Sequence, residues 1–327
     1  MTPMSASFAR FKPAIAIAIA IVFVVPATTA IAQQYSKPDE QERRVERGSR
    51  VVLRNEFGDI SIVGWDRDTI EALATNLNGV PPASVSISEA SSDNKRVFTV
   101  RAVENGGDIK PQIKLVVNVP RYVELEPIYL RRGNLSVNDL DGGVSLRTDE
   151  GNVIVRQVGS PAGGLVEVTA GNGSVDLSNI NGDVHIVAIS SNITVQCVKG
   201  DVAGRVTSGQ IAVSNIDGDL ELNASSGGLS FTGAVHSERR YRLRVLSGNV
   251  EMNIPDRVGF TAVLSVYSGQ IDREFQFSHA LLTPPGATNQ HITGKYGDGR
   301  ARIELDSFSG HVRLRKIDES SVTDCQK

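Results

Sequence analysis

The sequence predicts an all-β fold, a single β-solenoid of about ten stacked coils of 18–22 residues. Three observations carry this. A glycine returns at a near-constant interval, apolar residues sit at fixed offsets on both sides of it, and the chain holds 31 Gly against only 5% aromatic residues. That composition suits many short strands joined by tight turns.

The recurring position is occupied by Gly58, Gly133, Gly151, Gly173, Ser191, Gly209, Gly227, Gly248, Gly269 and Gly310. From Gly133 the intervals are 18, 22, 18, 18, 18, 21, 21 and 41, the last expected to hold two coils in succession. Two and four residues after each anchor come Ile60/Ile62, Leu135/Val137, Val153/Val155 and so on to Val312/Leu314. Nineteen of these twenty residues are apolar in a chain that is 40% hydrophobic, and Arg273 is the exception. Alternation of this kind is a strand with one buried face.

A second strand precedes the anchor, with inward residues at −7 and −5, from Val144/Leu146 to Ile303/Leu305. Gly204 leaves a gap in that column. Position −3 is small or aliphatic (Thr148, Ala170, Ala188, Val206, Ala224), and position +7 is again apolar (Trp65, Leu140, Val158, Ile180, Val198, Ile216). One such coil cannot bury its apolar face alone, whereas stacked coils bury it continuously. Propeller blades need longer repeats, a sandwich does not require an eighteen-residue beat, and a hexapeptide helix would place inward residues every six.

Position +6 carries Asp139, Gln157, Asn179, Cys197 and Asn215, expected to form a buried, stacked amide ladder inside the turn. With Cys197 buried there, a bond to the other cysteine, Cys325, is not expected.

Residues 1–32 have the layout of a signal peptide: Arg10 and Lys12, an apolar run from Ala14 to Val25, and Ala30-Ile31-Ala32. The apolar run is shorter than a membrane span. Residues 33–48 are expected to be a charged linker and 49–316 the solenoid, with 49–130 an irregular capping part and 131–316 regular coils. Residues 317–327 are expected to be a flexible tail. Strands are predicted at 51–63, 84–90, 96–103 and 113–119 within the irregular part.

With these residues laid out, the chain resembles a bacterial family named putative adhesin, whose members are exported, repetitive β proteins of unknown function. The resemblance spans roughly Val51 to Lys316. It rests on Asn55-Glu56-Phe57-Gly58-Asp59-Ile60-Ser61-Ile62, on Val119-Pro120-Arg121, and on the Ser-Gly-x-aliphatic-x-aliphatic unit at Ser208–Val213 and Ser247–Met252. The closing Gly297-x-Gly299 and Phe308-Ser309-Gly310-His311-Val312 complete it. It implies a β-helix-like domain and brings no catalytic residues with it.

Chemistry is sparsely signalled. His185, His236, His279, His291 and His311 are scattered without metal-ligand spacing, and no nucleophile elbow, P-loop or dinucleotide fingerprint occurs. No enzyme activity and no cofactor are expected. The alternative is a calcium-assisted polysaccharide cleavage on the acidic column Asp183, Asp201 and Asp219, with Arg205 as the base. The bland reading of that column is a Gly-Asp turn repeated.

Without residues 1–32 the chain keeps 32 basic and 37 acidic residues, a charge of −5. Residues 239–316 hold twelve basic and seven acidic residues, net +5, which leaves −10 elsewhere. Arg240, Arg242, Arg244, Arg302, Arg313 and Arg315 alternate outward and are expected to stack into a basic stripe. Such a stripe suits anionic envelope polymers or a phospholipid surface, not nucleic acid. The expectation is an exported envelope module, periplasmic, cell-surface or extracellular, that presents a rigid face to a protein or polymer. A sensor or accessory domain in envelope-stress signalling is the further alternative.

Overall fold

In the computed structural model, residues 39–327 are described except 78–82, 93–94, 104–111, 283, 285–288, 323–324 and 326–327. The expected signal peptide lies outside the described residues. The rest is almost entirely strand, and the solenoid is confirmed. The strands Asp183–Val198, Val202–Ile216, Leu220–Thr232 and Arg240–Ile254 each bend at the anchor into two arms. Successive coils pair in parallel with the anchors in register, as in Gly209↔Gly227↔Gly248.

The predicted inward columns are buried: Val153, Leu177, Val195, Val213, Phe231 and Met252 are at most 2% exposed. Each such side chain contributes roughly 1.5–3 kcal/mol through lost water contact, so the stack is a single continuous core. The gap at Gly204 is filled from the next coil, because a Cβ there would lie 2.9 Å from Leu222 Cδ2.

The anchors form a column of close backbone contacts. Gly133, Gly151, Gly173, Gly209, Gly227, Gly248, Gly269 and Gly310 all have φ between 123° and 151°. A Cβ on Gly227 would lie 1.8 Å from the Gly209 carbonyl oxygen, and one on Gly248 would lie 1.6 Å from that of Gly227.

The +6 column is the first correction. Asp139, Gln157, Asn179, Cys197 and Asn215 are all left-handed, with φ from 52° to 61°, and none is buried. The cause is parity. Inward residues at +4 and +7 are an odd number apart, so one residue must break the two-residue alternation, and Asn and Asp tolerate that conformation best. The stacked amides lie instead one residue after the glycine, on the surface. Asn134 Oδ1 accepts from Asn152 N (3.2 Å) and Nδ2 (3.0 Å), and Asn152 Oδ1 accepts from Ser174 N (3.1 Å). Asn192 and Asn249 do the same for Gln210 and His311.

Because Cys197 stands outside the core, it bonds Cys325, with Cα atoms 5.4 Å apart. The tail is therefore tied down where described. Ile317 N donates to Ile254 O (3.1 Å), Glu319 pairs with Arg257, and Glu319–Ser321 is a short 3-10 turn.

The coil order is the second correction. The strand Ala301–Lys316 does not follow Phe260–Arg273 outward but lies between it and Arg240–Ile254. The terminal coil is Phe260–Arg273, closed by the antiparallel strand Gln290–Tyr296, which carries Ser278–Leu282 beyond it. The other end is built alike. Ile60–Trp65 lies between Leu135–Leu140 and Ile113–Pro120, and the antiparallel strand Thr69–Asn76, unforeseen from the sequence, covers the latter. Arg50–Arg54 likewise joins Lys95–Val103, which is covered by Ser84–Ser92. The irregular part is thus two further coils and their caps. Asp39–Arg44, expected within a linker, pairs with Thr69–Asn76 as a charged outer strand.

Arg273, the polar exception, sits at the last coil. Its guanidinium lies 4.9 Å over the Phe277 ring and donates to the Phe275 carbonyl. Phe260, Phe275, Phe277 and Tyr296 pack edge-on or tilted around it and plug the core's end.

The glycine column and the core can be probed separately. Gly48 has φ +84° with open space around it, so Gly48→Ala should cost only about 1–2 kcal/mol of conformational strain. Gly227→Ala should cost more than twice that, measured by urea unfolding, because the coils must also part. Val195→Asp, placing a charge between Leu177 and Val213, should abolish the cooperative melt.

Candidate interaction face

The two arms of each coil form two sheets with different outer surfaces. The arm after the glycine displays the amide ladder, which spends its polar groups on the next coil. The arm before the glycine shows no such ladder among the described residues, and its outward residues are those at −4 and −2. There the structure gathers exposed apolar side chains: Val187 and Ile189 on one coil, and Leu246, Phe308 and Tyr267 on the last three. Leu246, Phe308 and Tyr267 are 58%, 52% and 54% exposed.

The inserted strand creates this second group. Ala301–Lys316 pairs with Phe260–Arg273, which puts Phe308 beside Tyr267 with ring centroids 4.6 Å apart and planes 6° from parallel, and its place between its neighbours also sets Phe308 beside Leu246. The rings and Leu246 line one side of an open groove of about 650 Å³, with Arg205, Asn223 and Gln290 among its polar lining. His291 also lines it and meets Ser265 Oγ at 3.0 Å through Nδ1. Exposed apolar side chains that cluster, rather than scatter, are a mark of contact surfaces.

The expected basic stripe is brought together, but carboxylates come with it. Arg242 Nε and Arg302 Nε donate to Glu304 at 2.7 and 2.6 Å, and Arg244 reaches both Glu304 (3.5 Å) and Asp306 (3.1 Å). Arg313 lies 3.7 Å from Glu251 and Arg315 4.0 Å from Asp272. Arg240 stacks on Arg302 in register. The insertion interleaves acidic and basic side chains, so the stripe has far less free charge than its arginines suggest.

Glu304 is the hub of that network and only 6% exposed. The bond from Arg242 holds its carboxyl below the usual carboxylate range, with Arg302 adding to the effect against the opposing pull of burial. Tyr241 is fully buried against Phe231, and burial pushes its phenol up to about 12 while its oxygen accepts from His236 N (2.9 Å).

The acidic column has a structural task. Asp183 Oδ1 accepts from Asp201 N (2.9 Å), Asp201 Oδ1 from Asp219 N (2.8 Å), and Asp219 Oδ1 from Arg240 N (3.0 Å). Each carboxylate thus caps a backbone group of the next coil, at a second close-packed glycine column formed by Gly182, Gly200 and Gly218. Among the described residues no group of three His, Cys, Asp or Glu side chains is disposed to hold a metal ion. Arg205 lines the aromatic groove, four residues beyond Asp201 on the same arm of its coil.

The Toastrack DUF4097 family model matches residues 83–315, most of the chain. The chain belongs to that family. Among curated proteins none matches. Similar solved structures include a putative cell adhesion protein from Clostridium sporogenes, 12% identical with a TM-score of 0.21, over 86% of this chain and 100% of that one. A putative adhesin from Bacteroides fragilis is 13% identical with a TM-score of 0.34, over 86% and 98%. A putative lipid binding protein from Parabacteroides distasonis is 11% identical with a TM-score of 0.24, over 86% and 98%. The Toastrack match stops one residue short of Lys316, so the family region ends with the inserted strand and leaves out the disulfide-bonded tail.

Glu304 gives a signed pH prediction. A lowered folded-state pKa contributes stability that is present above the ordinary glutamate value of about 4.3 and is lost as pH falls through the lowered value. Glu304→Gln should therefore cost about 2–3 kcal/mol at pH 7. In thermal melts that difference from the parent should shrink as pH drops below about 4.

Proposed function

We propose that this Toastrack protein is an exported envelope module, adhesin-like in the sense that it holds a partner on a rigid face and performs no chemistry on it. The observation that supports this reading most is the contrast between the two sheets. One spends its outward polar groups on the amide ladder, while the other exposes Leu246, Phe308 and Tyr267 beside a polar groove. A scaffold of in-register coils fixes those side chains at strand spacing, so the face is pre-organised and loses little entropy on binding.

The signal-like layout of residues 1–32 places the module outside the cytoplasm, at the periplasm or the cell surface. The partner is an envelope protein or an anionic polymer. Arg205 supplies charge to the groove, while Arg244 is already engaged by Asp306 and Glu304. Apolar contact is therefore the main attraction, and charge the lesser one.

Residues 33–327 should co-sediment with isolated envelopes, and Tyr267→Ser with Phe308→Ser should reduce retention at least tenfold without lowering the melting temperature by more than a few degrees. Retention equal to the parent would overturn the assignment of this face. Protease-treated envelopes then separate the partners: lost retention points to a protein, kept retention to a polymer.

A further inference from the structure

Among the described residues, few hydrogen bonds and ion pairs join the tail to the solenoid beside its disulfide. Among the described residues of 317–325, one backbone bond joins Ile317 to Ile254, one ion pair joins Glu319 to Arg257, and the remaining bond, Val322 N to Glu319 O, is internal. Cys325 is nevertheless fixed against Cys197, in a coil separated from Ile254 by the coils of Val202–Ile216 and Leu220–Thr232. Its described residues Glu319, Val322 and Cys325 therefore lie along the row of left-handed corners. There Glu319, Val322 and Cys325 form one wall of a groove of about 540 Å³, and Asn179, Lys199, Asp217 and His236 belong to the coil side. Both cysteines are half-buried, within reach of a small thiol.

We propose that the Cys197–Cys325 disulfide is a redox latch that holds the tail as a strap over these corners, and that its reduction releases the strap and bares the groove without unfolding the coils. The reductant is a dithiol. Its thiolate attacks one sulfur, forming a mixed disulfide and expelling the other cysteine as a thiolate. Its second thiol then closes on the first, so two electrons and two protons pass to the protein and the dithiol leaves oxidised. The coils keep their structure because Cys197 lies outside the core. The columns on either side of it, Val195 and Val198, are buried by neighbouring coils and not by the tail.

The latch also changes what kind of solenoid this is. In a stack of repeats each coil touches only its neighbours, and openings can begin anywhere. A covalent strap joins a middle coil to the last ones and makes them move together.

The test is hydrogen exchange followed by mass spectrometry on residues 33–327, with and without reductant, alongside Cys325→Ser. Non-reducing peptide mapping should first recover the Cys197 and Cys325 peptides joined. Reduction should then raise uptake at least fivefold in residues 317–325 and in the corners near 197–199 and 215–217. Uptake in the inner strands at 193–195 and 211–213 should stay unchanged, and Cys325→Ser should match the reduced parent. Unjoined cysteine peptides, or tail uptake indifferent to reduction, would overturn the latch. So would exchange rising equally through the inner strands, since the bond would then be holding the fold and not the strap.

Discussion

Everything in this molecule depends on how closely one coil lies on the next at its corner. A strand spacing of about 4.8 Å is set by the backbone hydrogen bonds, and at the anchor the chain turns so sharply that its Cα faces the carbonyl oxygen below. A Cβ at Gly133, Gly151 or Gly310 would stand within 2 Å of that oxygen. Only a residue without one lets the two arms keep their ladders through the bend. Ser191 is the informative exception. It does not share the left-handed backbone, and its hydroxyl turns to the Gly171 carbonyl at 3.3 Å. Register follows from the column. Once the glycines are stacked, the inward aliphatics, the amide ladder and the aspartate caps align without further instruction.

A stack made this way has two open ends, and each exposes unpaired strand edges and the cut face of the core. The chain treats both ends alike. It threads a strand back between the last two coils, so that Ile60–Trp65 and Ala301–Lys316 become interior, and then lays antiparallel strands over the outermost parallel ones. Reversal changes the hydrogen-bond pattern and stops the addition of another identical coil. The outermost strand at one end, Asp39–Arg44, is dense in charge, which discourages further pairing. At the other end Arg273 and four aromatic rings close the core, so the single polar residue in the inward pattern marks where the core stops.

Much of this was legible because a solenoid writes its spacing directly into the sequence. The inward columns are readable from +2, +4, −5 and −7, and so is the odd step from +4 to +7. An odd step requires one left-handed residue, which puts Cys197 outside and makes its bond to Cys325 possible. Coil order was less accessible. Phe260–Arg273 and Ala301–Lys316 carry the same inward pattern, and either fills the place above Arg240–Ile254. What distinguishes them is on the outer face, where Glu304 and Asp306 meet Arg242 and Arg244, whereas Val263 and Ser265 would leave those arginines without partners. The sequence shows these acidic residues among the basic ones, but their register against each other depends on the coil order.

That same insertion connects the fold to the contact face. Had the coils stacked in chain order, Phe308 would lie at the far end, separated from Leu246 by Tyr267's coil, and Arg242 and Arg244 would face the uncharged Val263 and Ser265. Inserting Ala301–Lys316 neutralises those arginines and sets Phe308 beside Leu246 as well as Tyr267 in one step. The face therefore gains apolar contact area as it loses free charge. A surface of that kind discriminates by shape more than by electrostatic steering, and its affinity should depend only weakly on salt. The groove between the rings and the polar residues is where shape would be read, because its walls sit on five coils whose spacing the glycine column has already fixed.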